Sequence, residues 1–250
     1  MNDTPLHAAE PGDIPAPPRL RFTLVSGVLV LSAYLVLQFA ATIAAVVVLN
    51  LDPAERMGDL VALGVIFSAG PCTLLVLRVV SRARDIDPRT WLALLPVRTT
   101  TLLGWVLLAW VLLHAADLVT VELGRSPVPP VMETIIETTR YTALLWFALV
   151  IAAPVFEEVL FRGFLYEGLR RTRMGAGGTI VVTTLLWTLL HVAQYDAYFL
   201  TLIALIGILL GIARERTGSL YVPLAIHAVN NLLGTLQMAE ERDALVHALF

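Results

Sequence analysis

Apolar runs of about twenty residues, interrupted by proline, glycine or aspartate, constrain this chain more than any other feature, because that length matches roughly 30 Å of bilayer hydrocarbon at 1.5 Å per helical residue. Seven spans are read: Phe22 to Leu49, Leu60 to Val80, Leu102 to Leu123, Tyr141 to Leu169, Thr179 to Gln194, Phe199 to Ala213 and Leu220 to Met238. Turn signals divide them at Asp52-Pro53, Asp87-Pro88, the proline-rich run Pro127 to Pro130, and the cluster Gly175-Ala176-Gly177-Gly178. Lipid offers the backbone no hydrogen bonds, so each span must close its own as a helix. The expected architecture is all-α, a polytopic transmembrane helical bundle of about seven spans, without an internal repeat.

Of 250 residues, 58% are hydrophobic and 15% charged, which leaves little chain for an aqueous domain. The division expected is a polar N-terminal tail over 1–21, transmembrane helices over 22–140, a chemistry-bearing core over 141–236 and a C-terminal tail over 237–250. The opening residues are polar and proline-rich rather than basic and then apolar, so the first span is expected to remain as a helix and not to be removed as a leader. Cys72 is the single cysteine and has no intrachain partner; it reads as a small buried apolar residue. A net charge of -3 argues against nucleic acid as a partner.

Arginine fixes the expected orientation, since short cytoplasmic loops retain positive charge. Arg78, Arg82, Arg84, Arg89 and Arg98 crowd the loop after the second span, Arg170, Arg171 and Arg173 follow the fourth, and Arg214 and Arg216 follow the sixth. These loops are expected in the cytoplasm, together with Arg19 and Arg21 at the N-terminus, in a multi-pass protein of the cell membrane. The clusters read as topology determinants, with contact to anionic lipid as a second role.

Against this background the ionisable residues inside the spans stand out, because each costs several kcal/mol at membrane depth unless paired or hydrated. The fourth span carries Glu157, Glu158 and Arg162; the fifth His191; the seventh His227, Asn230 and Asn231; the third His114 and Asp117. Measured from the expected cytoplasmic ends, Glu157 and His191 lie about 18 Å deep, Asn231 about 17 Å and His227 about 10 Å, which places them in one layer. Residues four apart share a helix face, so Glu158 meets Arg162 and His227 accompanies Asn231, whereas Glu157 points about 100° away from Glu158 and needs a partner from another span. His191 is the partner expected.

A carboxylate beside an imidazole in a poorly hydrated cavity is suited to take a proton from water. His227 and Asn231 are suited to donate hydrogen bonds to an oxygen that becomes anionic. Together they point to hydrolysis of a peptide bond by activated water, and no Gly-x-Ser-x-Gly, His-Glu-x-x-His or phosphate-loop pattern competes. His114 and Asp117 read as structural, with tuning of the site as the alternative.

Three short patterns occur in order: Glu-Glu-x-x-x-Arg at Glu157, Glu158 and Arg162, aromatic-x-x-x-His from Trp187 to His191, and His-x-x-x-Asn from His227 to Asn231. The set resembles that of the CAAX-protease and bacteriocin-processing (CPBP or Abi) intramembrane glutamic endopeptidases, over roughly Tyr141 to Gly234. The resemblance implies that Glu157 with His191 activates water, that His227 and Asn231 hold the oxyanion, and that Glu158 and Arg162 support them, with no metal or other cofactor. The family usually has phenylalanine where this chain has Trp187, whose indole would wall the cavity and reshape the substrate path. A membrane-associated peptide or protein, including prenylated CAAX-type tails, is the implied substrate.

Other readings stay open on the residues alone. Glu157, His191 and His227 are ordinary zinc ligands, so a metal-dependent membrane protease could use the same set. The polar residues could instead bind a partner helix in a membrane scaffold or immunity protein, or glue helices together. An ion carrier is disfavoured by the absence of a transporter-like pseudo-repeat.

Overall fold

The computed structural model describes residues 20–83 and 86–249, with side chains described as far as Glu240. Most of the polar tail expected over 1–21 lies outside the described residues, as do Arg19, Arg84 and the side chain of His247. Among the described residues the chain is helical and no strand occurs.

Five helices are long and apolar enough to cross a membrane: α1 (Leu20–Val48), α2 (Met57–Arg82), α4 (Thr99–Glu122), α6 (Thr142–Arg170) and α8 (Ala197–Thr217). Of the seven spans expected, the fifth is shorter, with α7 (Gly175–Leu189) ending before His191. The seventh lies within α9 (Tyr221–Leu249), which continues as helix through the segment expected to be a tail. Short helices α3 (Pro88–Trp91) and α5 (Pro130–Glu137) fill the connections. Their four and eight residues are too few to give a spanning run, so hydropathy alone does not register them.

α6 is the axis of the fold, packed by α1, α2, α7, α8 and α9. Its residues alternate between the two demands of a central membrane helix. Phe156, Leu160, Phe161 and Phe164 fill the core, and Glu158 and Arg162 are buried among them. Small residues allow close crossings: a Cβ on Gly168 would meet Thr23 of α1 at 2.3 Å. The outer faces of α1 and α4 expose Val28, Val36, Phe39, Leu107 and Leu118, the apolar surface a bilayer covers.

α4 is the most peripheral long helix and packs mainly on α9. Polar links hold it there: Gln237 Nε2 donates to Asp117 Oδ2 at 2.8 Å, Thr120 and Tyr198 hydroxyls meet at 2.7 Å, and Arg125 pairs with Asp196. Asp196 also caps α8 by accepting from the Phe199 N–H, and that bond first, then Arg125, lowers its carboxyl below the usual range. His114 stacks on Trp110, one turn away, with ring centroids 5.7 Å apart. Asp117 thus ties two helices together, the structural role its position suggested.

Entry into α6 is set by a buried aspartate. Asp59 Oδ1 accepts from the Tyr141 N–H at 3.0 Å and the Arg140 N–H at 3.3 Å, while Arg56 pairs with Oδ2. Free N–H groups at a helix N-terminus are thereby satisfied by an acid from α2.

Candidate active site

α6 is not uniformly α-helical. Two π-helical stretches, Phe147–Ala152 and Val159–Leu165, flank the α-turn Ala153–Glu158 that carries both glutamates. Pro154 explains part of this irregularity. The Ala153 N–H bonds five residues back to the Ala148 carbonyl, so the next donor in that register would belong to residue 154, which as proline has none. The carbonyl left over is that of Leu149. Asn231 Nδ2 of α9 donates to it at 2.8 Å.

Glu158 and Arg162 form the fully buried pair that their spacing predicts. Arg162 Nη1 lies 3.0 Å from Glu158 Oε1, and both side chains are 0% exposed. Arg162 Nη2 also donates to the Gly207 carbonyl of α8 at 3.2 Å, and its Cζ sits 4.7 Å above the Trp187 ring. The same Glu158 oxygen receives His227 Nδ1 at 2.9 Å. A carboxylate only accepts, so Nδ1 carries the proton and Nε2 is left facing the other acid.

Glu157 occupies the other side of the turn. Its Oε2 accepts from Trp187 Nε1 at 2.5 Å and stands 3.8 Å from His227 Nε2. Its side chain is 12% exposed, so of the two acids this one meets water. Among the described residues no ion pair joins Glu157 to His191.

His191 follows the end of α7 in a tightened turn, where its backbone N–H bonds to the Thr188 carbonyl. The Trp187 carbonyl accepts from the Leu190 N–H in the same turn instead of the His191 N–H, and also from His191 Nδ1 at 2.9 Å. A carbonyl can only accept, so Nδ1 is the protonated nitrogen and the Nε2 of neutral His191 keeps its lone pair. The two imidazoles flank the indole: ring centroids of His191 and His227 lie 5.2 and 5.3 Å from that of Trp187, both edge-on.

Asn231 is held at both ends, by the Leu149 carbonyl and by Asn230 Nδ2, which donates to its Oδ1 at 2.9 Å. One amide hydrogen remains. Two aromatic residues outside the three motifs complete the surroundings. Tyr34 of α1 stacks on Phe156 with centroids 4.3 Å apart, and Tyr195 packs on His191 at 5.9 Å. Burial, and then the nearby Glu157 charge, push the Tyr195 phenol well above its ordinary range, so it persists as a donor.

Sequence reasoning singled out Trp187 for its bulk and passed over its N–H; the signal was the identity of the residue, since only an indole adds a donor at that position. The Leu149 carbonyl was also passed over, although a proline five residues later marks it. Among the described residues no group of three or more His, Cys, Asp or Glu side chains is arranged to hold a metal ion.

Residues 139–233 match the family model described as type II CAAX prenyl endopeptidase Rce1-like. This segment is Rce1-like. It contains every residue of the three motifs, and the resemblance read from their spacing coincides with it. A relative from Escherichia coli, an uncharacterized 24.3 kDa protein, is 26% identical over 156 residues, which is 59% of this chain and 71% of the relative. No solved structure matches the chain. The Rce1-like segment comprises α6 to the middle of α9, and α1, α2 and α4 pack around it from outside the matched range.

Proposed function

We propose that this protein is an intramembrane endopeptidase that hydrolyses a peptide bond of a membrane-associated protein or peptide without a metal. The observation that carries the reading is His227, which binds Glu158 through Nδ1 and turns Nε2 to within 3.8 Å of Glu157. That gap is too long for a direct hydrogen bond, so both groups can turn to one water beside them.

In this reading Glu157 takes a proton from water as the oxygen attacks the substrate carbonyl. His191, with its Nε2 lone pair, is the second acceptor on the same water. The carbonyl oxygen becomes anionic and is stabilised by the remaining amide hydrogen of Asn231 and by His227, whose Nε2 donates only in the imidazolium form. Collapse of the tetrahedral species breaks the C–N bond, and the proton held by Glu157 passes to the departing amine. With His227 in that form, two carboxylates, one guanidinium and one imidazolium sum to zero charge, which suits a site inside a membrane.

The loop arginines support access from the cytoplasmic side. The family description makes a prenylated C-terminal tail the first substrate to try. Glu157→Ala is expected to abolish cleavage while the protein stays inserted and folded; full activity in that variant would remove Glu157 as the base. Full complementation by Glu157→Gln would favour a non-enzymatic scaffold instead.

A further inference from the structure

Trp187 touches Glu157, Arg162 and both histidines of the site. Its N–H reaches Glu157 Oε2 at 2.5 Å, the Arg162 guanidinium lies over its face, and its ring meets the edges of both imidazoles. Its carbonyl anchors His191. The residue is 3% exposed, and α8 closes behind it where Gly207 passes so near that a Cβ there would lie 3.1 Å from Trp187 Cε3. A flat ring enclosed on these sides has one orientation, so its N–H is a fixed donor.

The terminal carboxylate torsion of a glutamate is otherwise soft. A bond to Oε2 settles it. Glu157 Oε1 then has no hydrogen-bond partner among the described residues and is the oxygen left to meet water. We infer that Trp187 is a positioning residue for Glu157: its indole N–H clamps Oε2, the oxygen 3.8 Å from His227 Nε2, and so leaves Oε1 as the working oxygen, free of partners among the described residues. The clamp itself is independent of the proposed hydrolysis; only its effect on rate rests on that reading.

The test uses purified full-length protein in detergent. In protein carrying ¹⁵N-labelled tryptophan, the indole N–H resonance of Trp187 is the one missing from Trp187→Phe. It is expected downfield in the wild type and to move upfield in Glu157→Ala, which removes the acceptor. On a cleaved reporter peptide, Trp187→Phe keeps the aromatic wall but loses the donor, and kcat is expected to fall roughly 10- to 100-fold with KM within about twofold, the effect of losing one hydrogen bond to a charged group. An unchanged melting temperature in that variant separates the effect from packing. A resonance indifferent to Glu157→Ala overturns the clamp. A resonance that responds, combined with wild-type kcat in Trp187→Phe, overturns its role in positioning. A responsive resonance in a wild-type protein that cleaves none of the membrane peptides supports the clamp and overturns the hydrolytic reading alone.

Discussion

Asn231 Nδ2 and the Leu149 carbonyl are 2.8 Å apart, and Pro154, five residues beyond Leu149, supplies no N–H to compete for that carbonyl. The proline, three residues before the first motif, thereby leaves an acceptor for a side chain of the third. Pro154→Ala restores a donor five residues from the Leu149 carbonyl and is expected to draw that carbonyl back into α6. Melting temperature should hold or rise, because proline is a poor residue inside a helix. Cleavage should fall about tenfold or more as the oxyanion donor loses its anchor, against about a hundredfold for Asn231→Ala. Equal rates in Pro154→Ala and the wild type would show that Asn231 is placed by something else.

The Glu158 and Arg162 pair makes a stability prediction independent of chemistry. Both side chains are fully buried, so removing one leaves an uncompensated charge. Arg162→Met is expected to lose about 3–5 kcal/mol in reversible unfolding. Adding Glu158→Gln should recover most of it, because no charge then remains unpaired. Activity should not return in the double variant, since His227 Nδ1 has lost its carboxylate partner.

The sequence made the helical class, the membrane setting and the shared layer of polar residues legible, because apolar length and the cost of charge in lipid act locally along the chain. The Glu158 and Arg162 pair was legible for the same reason, as an i, i+4 contact. Pairings between helices were less so. Spacing assigns Glu157 no partner, and depth points to His191; in the structure its contacts among the described residues are His227 and the Trp187 N–H. Depth estimated along straight helices cannot anticipate two π-helical stretches, each of which turns the following residues about the axis. The end of α7 before His191 was hidden in an apolar run that continues through Val192 and Ala193.

Asp59 connects the N-terminal half to the site without touching it. It satisfies the backbone N–H groups of Arg140 and Tyr141 and is 1% exposed. Asp59→Ala strands those donors and Arg56 together and is expected to destabilise by about 1–3 kcal/mol, measured by thermal unfolding in detergent. At temperatures where the variant is folded, kcat/KM should stay within about threefold of wild type, because the α-turn carrying the glutamates begins more than two turns later. Loss of activity with unchanged stability would instead place the start of α6 in the chemistry.

Gly207 offers the sharpest steric test of the site. Its carbonyl receives Arg162, and a Cβ would fall 2.8 Å from Thr184 Cγ2 and 3.1 Å from Trp187 Cε3. Thr184 and Trp187 lie on one face of α7, so Gly207→Ala must push α7 from α8 or turn the indole. The expected cost is about 1–3 kcal/mol of stability from overpacking, with a larger fractional loss of cleavage than of stability because the ring bears on Glu157 and both histidines. Thr184→Ala added to Gly207→Ala removes the closer clash and should restore most of the melting temperature. The contact with Trp187 remains in that pair, so its rate is expected to stay below wild type; recovery of both together would mean that helix separation alone, and not the indole, carried the defect.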